Sequence, residues 1–281
     1  MSRIAGIVSA RNPQEDSTLV TEMLMAMGLG TAGEIAADSD GPAALGWIGR
    51  SLGGAFFSRR ALSRQGEPQI AVALDGCIYN RAELNGSGIG KKSDAELIAD
   101  LYLQNGFDGA LRKINGDFAV ALFDFRDRTL WLGRDRMGLR PLYYHAGKER
   151  FAFASRPRAL VTLPGVAVAP NREFVALFAA AHYRYFDNDP DKSPYEGIAQ
   201  LPAGAMLRFK GNDARVFRYW DLAERPDYGE SDEDLAAACR ELLFDAVKIR
   251  LQRATRPAFT LSGGMDSSSV LISAVDRKSV V

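Results

Sequence analysis

The stretch Leu261-Ser262-Gly263-Gly264-Met265-Asp266-Ser267-Ser268 constrains this chain more than any other part of it. Upstream, Ala258-Phe259-Thr260-Leu261 reads as a short buried strand, and from Ser267 to Val275 the residues are small and apolar enough to start a helix. A strand, a Gly/Ser turn and a helix N-terminus in that order aim several backbone N–H groups at one spot. Such a spot suits a phosphate or pyrophosphate, because unpaired amides and the positive end of the helix dipole both favour an anion. Gly263 and Gly264 let the backbone approach without a Cβ in the way. The hydroxyls of Ser262, Ser267 and Ser268 can donate to phosphate oxygens, and Asp266 offers oxygen ligands to a hard divalent cation. The plainer alternative is a Ser/Gly-rich turn capping an ordinary helix. The run is not the P-loop pattern, since no Gly-Lys-Ser/Thr follows the glycines.

Composition narrows the class without naming a chemistry. The chain has 281 residues, 47% hydrophobic and 25% charged, which is globular composition and enough for one or two domains. Formal net charge is zero, so nothing in the bulk composition points to nucleic acid or to an acidic membrane surface. Cys77 and Cys239 are too few and too far apart for a disulfide framework or a zinc cluster. The apolar run after Arg3 ends by Ser9 and Arg11, unlike a signal peptide, and the apolar run from Phe174 to Ala181 is too short to span a membrane. The expected setting is a cytoplasmic protein that binds neither nucleic acid nor membrane; its oligomeric state is not legible.

From Arg3 to about Leu207, short strand-like runs alternate with a few helices. Ile4 to Val8 reads as a strand, as does Gln69 to Leu74, which the turn signal Asp75-Gly76 is expected to end. Ser93-Asp94-Ala95-Glu96 has capping-box spacing and opens an apolar-periodic helix through Leu97, Ile98, Leu101 and Tyr102. Phe118 to Phe125 and Thr129 to Gly133 read as a hairpin around Arg126-Asp127-Arg128, and Leu142 to His145 and Phe151 to Ala154 add strands. This pattern predicts an α+β sandwich rather than regular βαβ alternation. Tyr183 to Tyr195 reads as a long loop, and His145 and His182 are lone histidines without metal-site spacing. A domain boundary is expected between Ala223 and Glu230, after which Ser231-Asp232-Glu233-Asp234 opens a helix that is acidic first and basic last, at Lys248 and Arg250.

Several ordered blocks together resemble the asparagine synthetase family. Ser-Gly-Gly-x-Asp-Ser at Ser262–Ser267 is similar to the pyrophosphate loop of enzymes that cleave ATP to AMP and pyrophosphate, with the family's apolar residue before it at Leu261. Ser2-Arg3-Ile4-Ala5-Gly6-Ile7 sits where that family has its N-terminal Cys-Gly-Ile-x-Gly segment. Asp75-Gly76-Cys77-Ile78-Tyr79-Asn80 resembles its Asn-Gly-Glu-Ile-Tyr-Asn, and Ser93 to Glu96 its Ser-Asp-x-Glu helix start. Gly133 to Tyr144 resembles its Gly-Arg-Asp-x-x-Gly-x-x-Pro-Leu-Tyr-Tyr block, and Tyr195 to Gly204 its first-domain closing segment. The resemblance implies an N-terminal-nucleophile amidohydrolase αββα sandwich, a glutamine amidotransferase type 2-like domain over residues 2–210. The start of an α/β pyrophosphate-loop domain would follow over 225–281. It also implies ATP and Mg2+ as cofactors: Leu261 would contact adenosine, Ser262, Gly263, Gly264, Ser267 and Ser268 would cradle pyrophosphate, and Asp266 would take the metal.

The departures from that family fall on chemistry. Glutamine-using members are expected to present an N-terminal Cys whose own α-amino group is the base; here the position holds Ser2, a much poorer nucleophile near neutral pH. Asp75 stands where the family's Asn amide helps form the oxyanion hole, and an ionised carboxylate has no proton to donate. Cys77 replaces a Glu that helps hold glutamine, Gly76 is kept, and Asp94, similar to the group that grips the glutamine amino group, is also kept. Arg59 or Arg60 would match the residue holding the glutamine carboxylate. The expectation is a degenerate glutaminase site, with the Gly133 to Tyr144 block structural rather than catalytic.

The whole then reads as the N-terminal part of an ATP-dependent amide-forming ligase acting on a small-molecule or peptide carboxylate. Alternatives are an amide cyclase resembling lasso-peptide cyclases or β-lactam synthetases, and a non-catalytic scaffold. Asp276-Arg277-Lys278-Ser279-Val280-Val281 is expected to break the helix and resembles read-through of a sequencing adapter, which predicts a truncated coding region with genuine sequence ending near Val275.

Overall fold

The computed structural model describes residues 2–9, 13–28, 34–40, 42–49, 54–58, 70–85, 92–181, 189–224, 229–254 and 256–278. Arg59, Arg60, His182, the first part of the expected loop (183–188), and 279–281 lie outside the described residues. In chain order the elements are β1 (Ser2–Ser9), α1 (Pro13–Ala26), β2 (Glu34–Asp40), β3 (Ala43–Gly49), β4 (Gly54–Ser58) and β5 (Ile70–Ile78). There follow α2 (Arg81–Asn85), α3 (Asp94–Lys113), β6 (Gly116–Asp124), β7 (Thr129–Arg134), β8 (Tyr143–Ala146) and β9 (Arg150–Ala154). The rest are α4 (Pro157–Leu160), α5 (Arg172–Ala180), β10 (Ala199–Gln200), β11 (Ala205–Lys210), β12 (Asp213–Arg218), α6 (Asp232–Leu251) and α7 (Met265–Lys278). The chain divides into two compact units, Met1–Asp221 and Leu222–Val281.

The first unit is four layers deep. One six-stranded sheet runs in the order β10-β8-β9-β1-β3-β2 and the other β12-β11-β7-β6-β5-β4, with every pairing antiparallel. Strand periodicity builds the layers. Along β5, Ala71 and Ala73 face the other sheet, while Ile70, Val72 and Leu74 pack with Leu97, Ile98 and Leu101 of α3. Along β1, Ile4 and Val8 join the inter-sheet core, while Ala5 and Ile7 pack with Val20, Met23 and Leu24 of α1. The expected αββα sandwich is what forms.

The capping box is realised: the Glu96 N–H donates to Ser93 Oγ at 3.2 Å, and the Ser93 N–H donates to Glu96 Oε2 at 2.6 Å. The helix it starts runs on to Lys113 across a kink at Gly106, whose φ is 69°. One expected boundary is wrong. Asp75-Gly76 does not end its strand; β5 continues to Ile78 because β6 pairs with it through Gly76↔Phe118, Cys77↔Asp117 and Ile78↔Gly116. Gly76 permits this with φ 116°, where a Cβ would lie 1.9 Å from the Asp117 carbonyl oxygen.

In the second unit, Ser231 caps α6 by accepting the Asp234 N–H at 3.2 Å. The expected strand from Ala258 to Leu261 is not formed: these residues are irregular backbone, since no described strand of this unit pairs with them and a strand needs a neighbour for its N–H and C=O groups. The expected helix break after Val275 is also absent, because α7 continues through Asp276 and Arg277 to Lys278.

Candidate functional site

The first strand opens on the site. Ser2 is fully buried and pairs with Gly49 of β3. Its Oγ donates to Asp75 Oδ1 at 2.8 Å and accepts the Gly76 N–H at 3.3 Å. Ser155, just after β9, donates its Oγ proton to Asp75 Oδ2 at 3.1 Å and accepts the Ile4 N–H at 2.9 Å. One carboxylate from the second sheet therefore ties two hydroxyls of the first. Two guanidiniums flank it: Arg140 Nη1 lies 3.6 Å from Asp75 Oδ1, and Arg3 Nη1 lies 3.9 Å from Oδ2 while donating to the Ser2 carbonyl at 2.6 Å.

Burial pushes the Asp75 carboxyl above the usual carboxylate range, and Arg140, Ser2, Arg3 and Ser155 pull it only part of the way back. Burial likewise lowers Arg3, against the raising effect of Asp75, and the like charges of Arg156 and Arg140 add to the lowering. The consequence for chemistry is direct. In its ionised form Asp75 takes the Ser2 Oγ proton as acceptor, and both of its oxygens then accept where a developing oxyanion needs donors. Gly76 N–H remains aimed at Ser2 Oγ. Cys77, next on the strand, is a half-buried free thiol.

The Gly133 to Tyr144 block supplies the frame. Asp135 accepts the N–H groups of Phe118, Met137, Leu139 and Arg140 at 3.0–3.3 Å. Arg134 donates to the carbonyls of Arg140, Leu201 and Gly138 at 2.6–2.9 Å. These bonds fix the turn that delivers the Arg140 side chain to Asp75. Sequence reasoning gave the block a structural role and missed Arg140, Arg3 and Ser155 as partners of the site. The legible signal was charge: an Asp at a buried family-Asn position calls for cations, and Arg3 and Arg140 lie inside the very blocks that carry the resemblance.

Asp94 lies near the same strand end. It is 5% exposed, accepts the Ile78 N–H at 3.0 Å through Oδ2, and is paired through Oδ1 with Arg81, which also donates to the Lys92 carbonyl. The sequence did not single out Arg81.

In the second unit the Gly/Ser loop is a compact turn at the start of α7. Gly263 takes φ 81° and a Cβ there would meet nothing within 4 Å. Gly264 N–H donates to Ser262 Oγ and Ser262 N–H to Ser267 Oγ, both at 3.3 Å; the Ser267 and Ser268 hydroxyls donate to the Gly264 carbonyl at 3.1 and 2.9 Å. Leu261 is exposed beside them, and Asp266 occupies the first turn of α7. The loop thus gathers hydroxyls, a left-handed glycine and a helix N-terminus, a set that fits phosphate oxygens. Among the described residues no group of three or more His, Cys, Asp or Glu could hold a metal, so a magnesium ion here would depend on Asp266 and on phosphate oxygens. His145 Nδ1 lies 2.7 Å from the Gly197 carbonyl oxygen.

The four-layer antiparallel αββα sandwich is the fold of the N-terminal-nucleophile amidohydrolases. Residues 1–220 match the family model for the glutamine amidotransferase domain, and the chain belongs to that family. Residues 238–279 match the asparagine synthase family model. Curated relatives include a putative glutamine-hydrolysing asparagine synthetase 2 of Methanocaldococcus jannaschii, 31% identical over 210 residues (72% of this chain, 39% of that protein). Asparagine synthetase 2 of Bacillus subtilis is 31% identical over 74% of this chain and 30% of its own length. The human asparagine synthetase is 29% identical over 76% and 38%. The chain therefore spans well under half the length of these relatives.

Among solved structures, a glutamine phosphoribosylpyrophosphate amidotransferase from B. subtilis, complexed with ADP and GMP, aligns over 98% of this chain and 64% of its own with a TM-score of 0.54 at 14% identity. A structure described as the allosteric regulatory enzyme of purine biosynthesis aligns over 97% and 63% with a TM-score of 0.51 at 17% identity. At such identities these two show the fold alone. Among the described residues no helix is long and apolar enough to cross a membrane.

Proposed function

We propose that this chain is part of an ATP-dependent amide-forming ligase of the asparagine synthetase kind whose glutaminase site is silent. In that reading a carboxylate substrate is adenylated by ATP, and the nitrogen comes from ammonia or from an amine of the substrate, not from glutamine hydrolysed by this domain. Support for the ligase comes from the asparagine synthase match over residues 238–279. Ser262, Gly263, Gly264, Ser267 and Ser268 would hold pyrophosphate, Leu261 would lie against adenosine, and Asp266 would hold Mg2+. The ion would neutralise phosphate charge when bound.

The observation that carries the silent site is the 2.8 Å bond from Ser2 Oγ to Asp75. The nucleophile position holds a hydroxyl whose proton already points to a carboxylate, and that carboxylate stands where a donor would be required. The same changes favour a ligase that closes an amide within its own substrate, in the manner of lasso-peptide cyclases or β-lactam synthetases, over one that consumes glutamine.

The test is nitrogen bookkeeping by isotope in the ligase of which this chain is part. Amide-15N glutamine should label no product, while 15N-ammonium or an amine-bearing substrate should. Label arriving from glutamine at rates matching ammonium would overturn the reading.

A further inference from the structure

Asp94 is held from two directions. The Ile78 N–H donates to one oxygen at 3.0 Å, and Arg81 pairs with the other. The second arm of the Arg81 guanidinium donates to the Lys92 carbonyl, so this planar fork is anchored at both ends rather than left to swing. The Arg81 side chain is 20% exposed and that of Asp94 5%, which keeps the pair largely out of water. Along β5 the Gly76 N–H meets Ser2 Oγ and the Ile78 N–H meets Asp94, so this carboxylate belongs to the same strand end as Ser2 and Asp75.

We propose that Arg81 fills the place beside Asp94 that a ligand ammonium would take, and so makes the domain reject free α-amino acids. The inference rests on the reading of Asp94 as a glutamine-site group, and assigns to that site its own internal cation. An incoming ammonium must displace a guanidinium tethered through Lys92, or settle beside a like charge where little water reaches. Both disfavour binding, because a like-charge contact is worth more out of water and a buried carboxylate stripped of its partner is costly. Arg81 is thus a specificity residue of the site, acting before any question of nucleophile strength arises.

Ligand-observed NMR with L-glutamine and with 4-carbamoylbutanoate, the same molecule without its amino group, separates this role from a purely structural one. Wild type, Arg81→Ala, Arg81→Gln and Arg81→Gln/Asp94→Asn are compared, with circular dichroism confirming the fold. Wild type should not bind L-glutamine up to about 10 mM. The Arg81 variants should bind L-glutamine at least about 10-fold more tightly than the des-amino compound, and adding Asp94→Asn should remove that preference. Folded Arg81 variants that gain nothing, or gain both compounds equally, would overturn the proposal. Unfolding of both single variants would also overturn it, by making the pair a structural tie. Glutamine binding by wild type without turnover would sink the Arg81 proposal alone, whereas ammonia release would sink the silent-glutaminase reading.

Discussion

Ser2 and Asp75 are 73 residues apart in sequence, on different sheets, and share a fully buried hydrogen bond of 2.8 Å between hydroxyl and carboxylate. Around them Ser155, Arg3 and Arg140 complete a polar cluster that joins the two sheets. The cluster gives Asp75 a structural task, and its energetics are open to test.

Because burial raises Asp75 above the usual carboxylate range, the folded state holds that proton more tightly than the unfolded chain. Its contribution to stability is fully present below about pH 4, the unfolded value, and is lost as pH rises through the folded value. Asp75→Asn keeps the shape and removes the titration. The difference in urea-unfolding free energy between wild type and this variant should therefore move against wild type as pH rises above about 4, the unfolded value, and through the folded one. A gap that does not change with pH would mean that the arginines and hydroxyls cancel burial entirely.

Asp135 is 1% exposed and accepts four backbone N–H groups. Removing it orphans buried donors and frees the turn that carries Arg140. Asp135→Ala should cost about 3–5 kcal/mol in equilibrium unfolding. A loss below about 1 kcal/mol, the worth of an ordinary hydrogen bond, would show that water replaces the carboxylate.

Much of this was legible in the residues. The apolar run from Ile4 to Val8, the Ser93–Glu96 capping box and the hairpin between Phe118 and Gly133 each rest on local chemistry, and each formed. The expected end of β5 at Asp75-Gly76 failed because a turn signal yields to a partner strand: Gly76 serves close backbone approach to Asp117 rather than a turn. Ala258 to Leu261 failed for the opposite reason, since strand propensity without a neighbour makes no strand. At the site, the identity of Ser2, Asp75 and Cys77 was readable, but the pairing of Asp75 with Arg3, Arg140 and Ser155 was not. Those contacts cross between sheets and depend on register. Arg81 was hidden for a related reason: nothing in Asn80-Arg81-Ala82 shows that its side chain turns back onto Asp94.

The second unit leaves apolar side chains in water. Leu242, Leu261, Met265 and Ile272 are all more than half exposed, and α6 buries only Phe244 and Val247. Limited proteolysis of the 281-residue chain should cut first after Leu222 and leave the N-terminal sandwich resistant, and ATP should not bind measurably. Protection of residues 222–281 together with micromolar ATP affinity would contradict this.

Asp266→Ala, tested in the ligase proposed to contain this chain, should slow ATP–pyrophosphate exchange by at least about 100-fold with the fold unchanged, since neutralising phosphate charge is worth several kcal/mol. Exchange at the wild-type rate would reduce Asp266 to a residue of the first helical turn.

The most direct measurement is ammonia release from glutamine by the purified chain, after mass spectrometry has confirmed that Ser2 is the first residue. The account predicts no release above the no-protein control, with Ser2→Ala indistinguishable from wild type. Steady turnover that Ser2→Ala abolishes would contradict it, and would make the Ser2 hydroxyl a working nucleophile beside Asp75.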